Sequence, residues 1–167
     1  MRNIAFFPIL GEPIEGNLFY SVREYSSRFS VDDIKSVWQL DGDQGRGLLS
    51  LGTLQLEIDN ESGRVLYVWG LHPHTRWVEG VCRPENFSRG GVMAQVAPRA
   101  DPGGAARLIE LGAWSTRLDR ETGWVRIAGD ASFARETLTL IATDTLLGIT
   151  DGSLSSVWLR PQFEGEV

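Results

Sequence analysis

Two stretches of this chain, sixty residues apart, align without a gap. "GLLSLGTLQLEIDNESGRV" runs from Gly47 to Val65 and "RLIELGAWSTRLDRETGWV" from Arg107 to Val125. Seven of the nineteen positions are identical, among them Asp59/Asp119, Glu61/Glu121, Gly63/Gly123 and Val65/Val125. In the first copy Leu54, Leu56 and Ile58 alternate with Gln55 and Glu57, the period-2 pattern of a half-buried strand. Asp59 or Asp119 is placed to accept hydrogen bonds from the amides of the turn that follows. Gly63 or Gly123 supplies the positive φ that closes a hairpin. A chain carrying such a unit twice is expected to be β-rich and built as two related halves.

Other segments point the same way. "NLFYSV" and "ETLTLIA" read as strands, and Asp151-Gly152 between two apolar runs is a strong hairpin signal. "VAPRADPGGAA" (96–106) reads as a surface loop between the halves. One short helix is expected near residues 31–38, with Ser30 as N-cap, Asp32 and Asp33 in its first turn, and Ile34 and Val37 on one face. About ten to twelve short strands and this helix predict a single domain over 1–167. The expected fold is mainly β, an antiparallel sandwich or a strongly curved sheet. A β-rich α+β arrangement, with the helix packed on one side, is the variant of that expectation.

The residue types best suited to chemistry are concentrated in one place. "WGLHPHTRWVEGVC" (69–82) holds both histidines, the single cysteine and two of the six tryptophans. An extended chain would put His72 and His74 on one side, and Cys82 or Glu79 could complete a ligand set. Zinc sites need three or four protein ligands, however, and this chain has only two His and one Cys to give. The metal reading (His72, His74, Cys82) therefore ranks below a structural loop or a contact loop, and no cofactor is expected. A Ser-His-Asp or Cys-His mechanism would have to use the same two histidines, and no G-x-S-x-G elbow is present. "DGDQG" (41–45) opens like a calcium loop, but Arg46 stands where the sharp-turn glycine belongs and Gly52 where the bidentate Glu belongs. "GRGLLSLG" is neither a dinucleotide fingerprint nor a P-loop.

Charge narrows the partners. The net charge is −6, and the fifteen arginines and one lysine are scattered, a poor grip on a phosphate backbone. No apolar run reaches the ~20 residues needed to cross a bilayer. A lone cysteine and an N-terminus that reads as a first strand make the cytoplasm the expected compartment. An acidic surface suits a basic protein partner. The expected function is a non-catalytic protein-binding module, in its most specific form an immunity-type protein that neutralises a toxin or effector by covering it. Partner contacts are expected at His72, His74, Arg76 and Trp77. Trp124 joins them because its counterpart in the first copy is Arg64, a position expected to be exposed in at least one half. The alternatives are a small enzyme or small-ligand or metal-binding β-domain using the His72/His74 loop, and a structural homo-oligomer subunit.

Overall fold

A computed structural model describes residues 3–40, 42–97, 105–109, 114–129 and 135–167 of the chain. The strands are β1 (Asn3–Ile9), β2 (Gly16–Ser21), β3 (Ser26–Val31), β4 (Arg46–Leu51), β5 (Leu54–Asp59), β6 (Val65–Leu71), β7 (Val78–Glu79) and β8 (Ser88–Arg89). The chain continues through β9 (Gly91–Ala97), β10 (Ala105–Ile109), β11 (Trp114–Leu118), β12 (Val125–Gly129), β13 (Thr137–Ala142), β14 (Thr145–Thr150), β15 (Ser153–Leu159) and β16 (Gln162–Glu164). A helix, α1 (Ile34–Trp38), lies between β3 and β4.

The fold is mainly β, with a single short α-helix among the described residues and sheets that are not closed, as in a β-sandwich. One seven-stranded sheet has the order β10-β4-β5-β6-β3-β2-β16 and the other β7-β11-β12-β15-β14-β13-β8, while β1 and β9 form a separate ribbon. The inner five strands of the first sheet come from residues 16–71 and those of the second from 114–159. Each outer edge is a short strand from elsewhere in the chain, paired in parallel: β10 on β4, β16 on β2, β7 on β11 and β8 on β13. Such brief, borrowed edges leave little free ladder for another chain to extend. Among the described residues sixteen strands form, more than the expected ten to twelve, and three of them, β7 and β8 with two residues each and β16 with three, are too short to show a period.

Alternation builds the core. Leu54, Leu56, Ile58, Leu66 and Val68 from the first sheet pack with Val125, Ile127, Leu147 and Val157 from the second. Burial of such side chains is the main favourable term in folding, at about 25 cal/mol per Å² of apolar surface. The Asp151-Gly152 hairpin forms as expected, with φ of 49° and 76° at its two central residues. The 98–104 part of the expected surface loop lies outside the described residues.

The helix differs from expectation. Ser30 belongs to β3, whose pairing with β2 runs on to Val31 opposite Gly16, so the chain is still extended there. Asp33 is the N-cap instead, its carboxylate accepting from the Lys35 amide at 2.9 Å. In a helix this short only Val37 turns inward, and Ile34 and Trp38 are exposed.

The turns after β5 and β11 share one design. The Gly63 amide donates to the Asp59 carbonyl and the Gly123 amide to that of Asp119, both at 2.8 Å, and both glycines have φ +77°. One oxygen of each carboxylate serves its own turn. Asp59 Oδ2 accepts from the Ser62 amide and hydroxyl, and Asp119 Oδ1 from the amides of Glu121 and Thr122. The other oxygen takes an amide from a distant loop: Gly42 for Asp59 at 2.9 Å and Cys82 for Asp119 at 3.3 Å. Burial alone would raise the pKa of either carboxyl, but these donors outweigh it and hold both below the usual aspartate value of 3.8. A Cβ at Gly63 would collide with the Ala94 carbonyl, so glycine is required there on two counts.

Candidate functional site

The stretch that holds both histidines leaves the first sheet and ends on the second. Its start is pinned by the Tyr20 hydroxyl, which donates to the His72 carbonyl at 2.7 Å, and by the His72 amide, which donates to the Tyr25 carbonyl at 2.7 Å. Pro73 has no amide hydrogen to place, and a 3₁₀ turn follows over His74–Arg76. The chain then forms β7 beside β11, with the Gly80 amide donating to the Leu118 carbonyl at 3.0 Å. Glu79 on β7 pairs with Arg120 at 2.5 Å, and Arg83 beyond it pairs with Glu121 at 2.8 Å. The segment is a strap between the sheets.

The two histidines serve the strap in different ways. His72 Nε2 shares a 2.8 Å hydrogen bond with Thr116 Oγ1 on β11, across the gap between the sheets. Its ring lies 5.4 Å from that of Trp77, and burial pushes its pKa down to about 4, so the imidazole is neutral at physiological pH. His74 sits 5.1 Å from the Tyr25 ring and edge-on to Trp77 at 6.2 Å. Tyr20 and Phe163 complete the ring cluster around Trp77, at 4.9 and 6.5 Å. Burial pushes the Tyr20 phenol up to about 12, which keeps its hydroxyl a donor to the strap.

Cys82 does not join them. Its thiol donates to the carbonyls of Trp124 at 3.4 Å and Arg117 at 3.6 Å, and its amide caps Asp119. Burial pushes the thiol pKa up, away from the thiolate that nucleophiles and metal ligands need. His72, His74 and Cys82 are thus not assembled as a ligand set. Among the described residues no group of three His, Cys, Asp or Glu side chains is placed to hold a metal ion. The "DGDQG" loop has a structural partner as well: the Asp43 amide donates to Glu61 at 2.7 Å, beside the Gly42–Asp59 bond, while Asp41 lies outside the described residues.

The chain matches no family model and no curated protein. The reading of the site therefore rests on its geometry.

The predicted contact residues divide. His72, His74 and Trp77 are half-buried in the strap, and Arg76 is exposed at its crest. Trp124 departs from expectation, being 9% exposed, as is Arg64. Its ring meets Trp158 edge-on at 6.4 Å, with the Arg160 guanidinium 5.2 Å above it. Both positions follow a turn glycine and enter strands covered from outside, Arg64 by Gly91 of β9 and by Gly11 just after β1, and Trp124 by Cys82 and Trp158. Neither presents an anchor.

The outward side of the strap carries residues that the sequence did not single out. Leu71, Val78 and Val81 are 51%, 58% and 74% exposed, and Tyr25, docked on His74, is also exposed. Tyr20, Tyr25, Thr116 and Phe163 were equally silent, because their partners lie far away in the chain. Trp77 Nε1 is buried with no hydrogen-bond partner among the described residues, a cost that the ring packing around it offsets.

Proposed function

We propose that this protein is a non-catalytic binding module for a basic protein partner, most specifically an immunity-type protein that neutralises a toxin or effector by covering it. The observation that carries this reading is the exposure of three apolar side chains, Leu71, Val78 and Val81, on a strap held near its start by Tyr20 and Thr116 and near its end by Leu118 and Asp119. Apolar groups on a rigid support lose little entropy when they are covered, which favours binding. The net charge of −6 would steer a basic partner toward the molecule. The histidines and the cysteine act in this reading as supports for the contact face.

The test is rescue. Cells expressing a toxin-like gene adjacent to this one are expected to survive when the chain is co-expressed and to die without it. Survival that does not depend on the chain would end the immunity-type form of the proposal.

A further inference from the structure

On another face of the molecule, a cleft of about 400 Å³ opens between the Glu12–Glu15 segment and α1. That volume lies in the range of small-molecule sites. Arg64 lines it, 9% exposed. A guanidinium has five N–H donors, and among the described residues this one donates a single bond, from Nη2 to the Glu12 carbonyl at 2.6 Å. Its Nε is buried with no partner, and no carboxylate among the described residues pairs with it. The surroundings are shaped to the group: a Cβ at Gly11 would stand 3.0 Å from Nη1 and one at Gly91 3.2 Å from Nε. Burial lowers its pKa, the mark of a cation that lacks its counter-charge.

Four of the other nine lining residues are acidic, Glu12, Glu15, Asp32 and Asp33, and the remainder are apolar or neutral. Glu12 lies 3.7 Å from Arg89, Asp32 accepts from the Asn17 amide group at 3.0 Å, and Asp33 caps α1. Glu15 is exposed and forms no ion pair among the described residues. A simple anion at Arg64 would face these carboxylates, and a simple cation would leave Arg64 unmatched. A ligand of both signs satisfies the two sides together.

We infer that this cleft binds a molecule carrying a carboxylate and a cationic group, of the basic α-amino acid class. The carboxylate pairs with Arg64 in the bidentate geometry that guanidinium favours, and the cation lies among Glu15, Asp32 and Asp33. The same chemistry is offered by a free amino acid or by the C-terminal residue of a polypeptide. This inference is independent of the strap and of the partner proposed for it.

Calorimetric titration of the full chain tests it with four probes: L-arginine, L-arginine methyl ester, an N-acetylated tripeptide ending in arginine acid, and that tripeptide as its amide. L-arginine or the tripeptide acid is expected to bind saturably, and the matching ester or amide at least tenfold more weakly. Binding of L-arginine alone assigns a free amino acid, and binding of the tripeptide acid assigns a polypeptide C-terminus. Arg64→Met is expected to remove the preference for the acid forms. Glu15→Gln, at an exposed side chain, is expected to weaken binding severalfold with an unchanged melting temperature. Equal affinity for acid and ester, no saturable binding of any probe at millimolar concentration, or unchanged affinity in Glu15→Gln would overturn the inference. If Arg64→Met does not fold, the acid–ester comparison on the natural chain decides.

Discussion

Between pH 6.5 and about 4 this protein is expected to lose roughly 3 kcal/mol of stability through one imidazole, His72. In the folded chain burial holds its pKa at about 4, whereas the unfolded chain takes up a proton from about 6.5. The unfolded state therefore binds more protons throughout that window. Stability from this group is whole above 6.5, declines as pH falls, and levels off below about 4. Denaturant unfolding at intervals across the range measures the loss. His72→Gln keeps a hydrogen-bonding group near Thr116 but does not titrate, so its curve is expected to be flatter by about the same amount. The turn carboxyls do not confuse the result. Both are held below 3.8, so their stabilisation is intact above that value and drains away only as pH falls beneath it.

Asp59→Ala is expected to cost about 3 kcal/mol, because three donors lose a charged acceptor at once. The Ser62 amide and hydroxyl lose the bonds that close the turn. The Gly42 amide loses the bond that docks the preceding loop. For a chain of this size the melting temperature would fall by roughly 10 °C. The control is Glu61→Ala, whose exposed side chain accepts one amide, from Asp43, and whose loss is expected to cost less than about 1 kcal/mol. Calorimetric melting of the two variants beside the natural chain separates a turn organised by a buried carboxylate from one set by backbone propensity alone.

Local signals carried much of the fold. The alternation in 54–58, the Asp and Gly of the two turns and the Asp151-Gly152 hairpin each act within a few residues, so each could be read directly. What could not be read is long-range. β7, β8 and β16 exist because a distant strand accepts them, and β10 likewise lies in parallel beside β4, more than fifty residues earlier in the chain. The candidate site divides along the same line. The stretch from Trp69 to Cys82 stood out by composition, and its histidines do sit at the junction of the two sheets. Their partners Tyr20 and Thr116, and Phe163 which packs on Trp77, come from three other strands and left no signal. Trp124 failed for a related reason: exposure depends on what covers a strand, and Cys82 and Trp158 cover it from outside its own hairpin.

The proposed contact surface on the outer side of the strap can be tested apart from the structural role of its inner side. Val78→Asp and Val81→Asp, combined in one chain, change exposed side chains and leave the His72–Thr116 bond and the ring cluster in place. The variant is expected to melt within about 2 °C of the natural chain, since exposed substitutions cost little. Its protection of cells carrying the adjacent toxin-like gene is expected to fall at least tenfold. Full protection by a well-folded variant would contradict the strap as the contact surface.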